Sequence, residues 1–264
     1  MKAYEIVNQE NDSIIGTLLY YEKGKSFLVE LAPGLNEWTA PLLMSGFVKK
    51  GQYTIPKDIS FLWVKARVVP SERQNIQSIL NTHKLKEYDE MKLLELSEGR
   101  CSQDSLFIRK TEMLPAYVKE RQSKNLTDCL VSEYGYYICF FADGTIRKVD
   151  PLKIRDANVP QFPKNPELLR SAKVGTGGYS VTLDDAYDIP ASVLYREGAV
   201  IPLRAEDFTA YVSKNVMDTT QSCELLECSR QNLSYLVKQE QLHPIREEVK
   251  GSLFRKGDIL RKMW

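Results

Sequence analysis

Ser229, Arg230, Gln231 and Asn232 stand in a row near the C-terminal end of the chain, and their side chains match the hydrogen-bonding edges of nucleic-acid bases. An arginine guanidinium can donate two bonds to one guanine. An asparagine or glutamine amide can pair in the same way with adenine, and each good pair gives roughly 1–3 kcal/mol of base discrimination. Such residues read bases only when a rigid element aims them. The stretch from Asp218 to Leu242 predicts that element as two short helices broken by a tight turn. Asp218 or Thr219 caps the first, and Gln221 stands three residues after Asp218 as in a capping box. Ser229 caps the second through its hydroxyl. Cys223 and Leu226 are expected to face inward and Cys228 to plug the turn, with Leu233, Leu236 and Val237 packing helix on helix. Arg230, Gln231, Ser234, Tyr235 and Lys238 are then left on the outer side. Arg230 and Gln231, with Asn232 close behind, are expected at bases, and Tyr235 and Lys238 at phosphates. Glu227 falls in the turn where glycine is usual, because that position takes positive φ; a side chain there costs about 1 kcal/mol.

This pattern resembles the excisionase/MerR type of winged helix-turn-helix, in which a Ser-capped helix presents its first turn to the major groove. After Leu242, His243 to Val249, the turn Lys250-Gly251 and Ser252 to Arg255 fit a two-stranded wing, and Leu253 to Ile259 fits the family's continuation into a short terminal helix. The resemblance implies DNA contacts at Arg246, Lys250, Ser252 and Arg255 of the wing. Local charge agrees with it. The net charge of the whole chain is only +1, whereas residues 229–264 carry Arg230, Lys238, Arg246, Lys250, Arg255, Lys256, Arg261 and Lys262 against Glu240, Glu247, Glu248 and Asp258. That excess sits where phosphate contacts would be needed.

The remaining chain has the size and make-up of further globular domains: 264 residues, with 43% hydrophobic and 27% charged, allow two or three separate cores. The strongest apolar run, Tyr136 to Ala142, is far too short to span a bilayer, and the N-terminus has no signal-type segment, so a cytoplasmic protein without membrane association is expected. Five cysteines (101, 129, 139, 223 and 228) form no C-x-x-C pair, which points to reduced thiols and away from a disulfide framework or zinc ribbon. His83 and His243 are the only histidines. With no nucleophile–base pair or carboxylate dyad, an enzyme is not expected, nor a metal or cofactor.

Residues 1–112 open with strands at Tyr4–Val7, Ile14–Tyr21 and Phe27–Leu31, followed by a helix from about Pro70 and another carrying Tyr88, Met91 and Leu94 that Gly99 ends. Arg67, Arg73 and Arg100 are expected to pair with acids. The run from Val69-Pro70 through Arg73, Leu80, Leu93-Leu94 and Gly99-Arg100-Cys101 resembles the N-terminal subdomain of HipA-type toxin kinases, where a P-x-x-R…L…LL…G-x-D/C helical pair follows a β-hairpin. Nothing after residue 112 matches a kinase catalytic loop or metal-binding Asp, so the resemblance implies a scaffold or partner-binding module, with a HipA-like kinase as candidate partner, rather than phosphoryl transfer.

Residues 128–210 carry a hairpin signal, Tyr136–Ala142 and Thr145–Val149 around Asp143-Gly144, expected as a type I′ turn. A second hairpin is expected around Gly175-Thr-Gly-Gly178, which lacks the Lys-Ser/Thr of a phosphate cradle. A helix over Asp188–Tyr195 follows, and Arg196 to Val216 read as a connection. The layout is similar to a family of short bacterial domains of unknown function, built on an F-x-D-G hairpin and a D-I-x-x-x-x-L-Y helix and sometimes fused to helix-turn-helix modules. The aromatic cluster at 134–141 is expected in the sheet core.

The sequence thus predicts an α+β, multidomain chain: two small β-hairpin/helix domains (1–112 and 128–210) followed by a winged helix-turn-helix (217–264). The function expected is a bacterial transcriptional regulator that binds double-stranded DNA as a homodimer. The HipA resemblance narrows it to an antitoxin-like autoregulator of a toxin–antitoxin pair. A protein-interaction scaffold whose wing docks on a protein is the alternative.

Overall fold

A computed structural model describes residues 1–156, 159, 161–163, 165–242 and 244–245. The fold is α+β, with helices set against antiparallel sheets. The described residues divide into two compact units, one of residues 1–125 with 175–180 and the other within 126–174 and 181–245.

In the first unit, β1 (Lys2–Asn8), β2 (Ser13–Tyr21) and β3 (Ser26–Leu31) form the expected meander. It is followed by α1 (Ser45–Lys49), β4 (Thr54–Ile55), α2 (Lys57–Lys65), α3 (Ile76–Thr82), α4 (Glu90–Leu96), β5 (Leu106–Thr111) and α5 (Ala116–Ser123). The antiparallel sheet runs β4-β3-β2-β1-β5. Successive strand residues point to opposite faces, and here both faces are covered. Tyr4, Ile6, Leu18, Tyr20 and Val29 join Trp63, Met91 and Leu94 in one core. Ala3, Leu19, Tyr21 and Leu28 join Val118 and Tyr179 in the other.

The second face explains why the unit continues past residue 112 to Asn125. From α5, Arg121 Nη1 reaches Glu30 Oε2 at 2.8 Å and the Leu31 carbonyl at 2.8 Å, and Tyr117 Oη lies 3.0 Å from Thr17 Oγ1. Glu30 is fully buried.

The helix expected from Pro70 begins only at Ile76. Residues 70–75 form turns, with the Arg73 and Ile76 amides donating to the Pro70 and Arg73 carbonyls at 3.2 and 2.9 Å. Arg67 is buried and pairs with Asp104, and Arg100 pairs with Glu98 at 3.2 Å; Arg73 is exposed and makes no ion pair among the described residues.

In the second unit, β6 (Leu126–Val131), β7 (Tyr137–Phe141) and β8 (Ile146–Val149) precede α6 (Pro166–Arg170), β9 (Lys173–Val174), β10 (Ser180–Leu183), β11 (Tyr187–Pro190), α7 (Ala191–Glu197), β12 (Ala199–Ile201) and α8 (Ala205–Asn215). The sheets run β12-β8-β7-β6 and β11-β10-β9. Leu126, Tyr137, Phe141, Leu169, Val181, Leu183, Ile189 and Leu194 fill the core between them.

Three expectations are corrected here. Only Gly144 of the Asp143-Gly144 pair has positive φ (+83°), and the Gly144 amide donates to Phe141 O at 3.0 Å. The turn is therefore a three-residue loop closed by a left-handed glycine, not type I′. Asp188 to Pro190 lie in β11, so the helix expected over Asp188–Tyr195 starts at Ala191. The connection expected from Arg196 to Val216 contains β12 and α8. Of the aromatic cluster, Tyr137 and Phe141 are buried, while Tyr134 is 86% exposed.

Candidate nucleic-acid interface

The candidate interface rests on α9 (Thr219–Leu225) and α10 (Arg230–Lys238). Asp218 caps α9: its Oδ1 accepts from the Gln221 amide at 2.8 Å, and Gln221 Oε1 accepts from the Asp218 amide at 3.1 Å. This reciprocal capping box satisfies two donors that helix geometry leaves orphaned. α9 closes at Glu227, which adopts φ +49° despite its side chain. Ser229 Oγ then accepts from the Asn232 amide at 3.2 Å and starts α10. Arg230 Nη2 donates to Thr220 Oγ1 at 3.0 Å, tying the first turn of α10 to that of α9.

Helical spacing sorts the residues of α10. Leu233, Leu236 and Val237 are half-buried, whereas Arg230, Gln231, Asn232, Ser234, Tyr235 and Lys238 are exposed. Arg230, Gln231, Ser234, Tyr235 and Lys238 line one shallow depression of about 460 Å³. Positions i, i+1, i+4, i+5 and i+8 share a helix face, so this grouping follows from the period alone. The face carries two cations, and α10 contains no acid. Ser229 and Asn232 lie outside that lining, and the Ser229 hydroxyl is engaged as a cap. Leu226, expected to face inward, is 49% exposed. Arg246, Lys250, Ser252 and Arg255 lie outside the described residues, as do the expected wing and terminal helix.

The two cysteines of this segment, Cys223 and Cys228, are both half-buried, and the Cys228 amide donates to the Cys223 carbonyl at 3.0 Å. Desolvation, followed by the neighbouring Cys228, pushes the Cys223 thiol above its ordinary value.

Comparison with known protein families, characterised proteins and solved structures finds no match. The site is therefore judged on its own chemistry. Among the described residues, no group of three or more His, Cys, Asp or Glu side chains could hold a metal ion. No described helix is long and apolar enough to cross a membrane.

A larger depression of about 830 Å³ opens in the second unit. Its wall sets Lys148, Lys153 and Arg170 against Glu133, Asp150 and Glu197, so it presents no single-sign field. Tyr134 and Tyr136 also line it, with Lys148 Nζ 3.7 Å from the Tyr136 ring centre.

Sequence reasoning missed the Thr220–Arg230 tie, because that bond depends on how the turn folds one helix onto the other. It also missed the backbone bond that brings Cys228 to Cys223. The signal available for that was the helix closure at Glu227, which fixes the neighbours of the residues flanking it.

Proposed function

We propose that the chain is a sequence-specific DNA-binding transcriptional regulator that lays the outer face of α10 in the major groove. Arg230 and Gln231 address base edges there, and Tyr235 and Lys238 hold phosphates. The observation that carries the reading is the make-up of this face. Two cations and three hydrogen-bonding side chains line one depression on a helix whose start is capped by Ser229. Exposed side chains of that kind on a fixed helix match what base readout requires.

A module of this size makes few base contacts, so a homodimer on paired half-sites is expected to supply useful affinity. The wing residues Arg246, Lys250, Ser252 and Arg255 would add phosphate contacts. The narrower form, an antitoxin-like autoregulator working with a HipA-like kinase partner, rests on the resemblance of the first unit's sequence. A protein-binding scaffold is the second reading. It is favoured by Trp38 and Leu42 in the first unit, 87% and 92% exposed, since large apolar side chains left in water suit a protein partner.

The test is fluorescence anisotropy of the full chain on duplex DNA from upstream of its own reading frame, across a salt series and beside a scrambled duplex. Nanomolar binding is expected. Its logarithm should fall by roughly 0.9 per log unit of salt for each phosphate neutralised, with a clear preference over the scramble. Absence of binding at low salt would reject this reading for that site and favour the scaffold.

A further inference from the structure

The turn between α9 and α10 carries a second chemistry, independent of DNA. α9 closes with two paired bonds: the Cys228 amide donates to the Cys223 carbonyl at 3.0 Å, and the Glu227 amide donates to the Glu224 carbonyl at 3.2 Å. With Glu227 in the left-handed region, this is the closure that brings the residue two places beyond the cap against the residue three places before it. α3 ends in the same way. There the Leu85 amide donates to Leu80 O at 2.9 Å and the Lys84 amide to Asn81 O at 3.1 Å, with Lys84 at φ +56°. The two residues it brings together, Leu80 and Leu85, belong to the apolar core of the first unit. In α9 the two equivalent positions are both cysteine, and both are half-buried.

We propose that Cys223 and Cys228 are a site of reversible disulfide formation, oxidised by a hydroperoxide. One cysteine, as thiolate, attacks a peroxide oxygen. The O–O bond breaks, a sulfenic acid forms, and the departing oxygen takes up the thiol's proton. The second thiol then attacks the sulfenic sulfur, an S–S bond forms, the S–O bond breaks, and water leaves with the remaining proton. With hydrogen peroxide, two thiols and one oxidant give one disulfide and two waters. The sulfurs lose two electrons and the peroxide gains them. A dithiol reductant reverses the step by thiol–disulfide exchange.

The other cysteines provide internal controls. Cys129 and Cys139 face each other across β6 and β7, but they are only 6% and 0% exposed, so an oxidant does not reach them in the folded chain. Cys101 stands with Asp104, its Sγ 3.7 Å from Oδ1. Cys223 and Cys228 are each half-buried, and the Cys228 amide bond to the Cys223 carbonyl, 3.0 Å, holds the two residues together at the helix end.

The test treats the folded full-length chain with hydrogen peroxide, removes the oxidant, alkylates under denaturing conditions and maps tryptic peptides by mass. The peptide 215–230, which contains both cysteines, is expected to become two hydrogen masses lighter and resistant to alkylation, and dithiothreitol should restore it. The peptides holding Cys101 and the Cys129/Cys139 pair should remain alkylatable. Cys223→Ser should abolish the lighter species. Full alkylation of Cys223 and Cys228 after oxidation would overturn the proposal. So would conversion of the Cys129/Cys139 pair at the same rate, because the reaction would then belong to unfolded chain. The readout is a mass and needs no DNA, so its failure is separate from failure of the DNA-binding reading.

Discussion

The central strand β2 and the helix α10 lie at opposite ends of what packing demands. In β2 every residue from Ile15 to Tyr21 is buried, and alternate side chains feed two separate cores; in α10 no residue is buried. Packing alone accounts for the residue types along β2. It does not account for the polar, acid-free face of α10, where almost any soluble residue would serve the fold. The difference teaches where to look for function: in side chains held by caps and backbone bonds yet released from core duty.

The comparison would be sharpened most by removing the arginine under β3. Arg121→Ala leaves the buried Glu30 carboxylate without its ion partner, and the expected loss is about 3–5 kcal/mol in urea unfolding. A loss below 1 kcal/mol would mean that the second face of this sheet is not the tightly specified layer described above.

A smaller, pH-dependent effect is expected at the β7–β8 turn. Burial opposes ionisation of Asp143, but bonds from the Thr145 amide (2.9 Å), the Thr145 hydroxyl (2.7 Å) and the Tyr195 hydroxyl (2.7 Å), with Arg147 nearby, outweigh it. Its carboxyl is therefore held below the ordinary range. The charged form then stabilises the folded chain above the ordinary carboxylate pKa, and that contribution is lost as pH falls through the lowered folded value. Asp143→Asn should cost of order 1 kcal/mol at neutral pH. It should also flatten the acid limb of the stability curve; an unchanged limb would remove Asp143 from this role.

The smallest effect has the opposite sign. Glu227→Gly relieves the positive φ at the end of α9 and should raise the helicity of the segment, by about 0.5–1 kcal/mol where measured locally by amide exchange. A destabilising result would show that the Glu227 side chain, rather than its backbone, is needed at the turn.

How much was legible in the sequence follows the same division. The meander β1–β3 could be read because polar turns punctuate β-rich runs, and α4 because Met91 and Leu94 share a helical face. α5 could not: its apolar residues Ala116, Tyr117 and Val118 are consecutive and the rest, Lys119–Ser123, is polar, so no apolar period announces it. α2 follows Pro56 with Asp58 in its first turn and Lys65 in its last, a charge pattern that was available but overshadowed by the mixed stretch before it. For the candidate site, caps and spacing were enough to place Asp218, Ser229 and the five residues that share the outer face of α10. They could not indicate that Arg230 bonds Thr220, or that the Cys228 amide bonds the Cys223 carbonyl. The positive φ expected at Glu227 is observed, but it does not by itself say which side chains and backbone groups the turn brings together.

The most direct test of the account pairs two readouts on one variant. Arg230→Ala should leave the urea unfolding midpoint of the full chain almost unchanged, within about 0.5 kcal/mol, because its side chain and its bond to Thr220 are both exposed to solvent. In anisotropy against the upstream and scrambled duplexes, the same variant should lose roughly 1–3 kcal/mol of preference. Preference retained at full strength, or lost only in step with stability, would contradict the assignment of α10 as the DNA-reading helix.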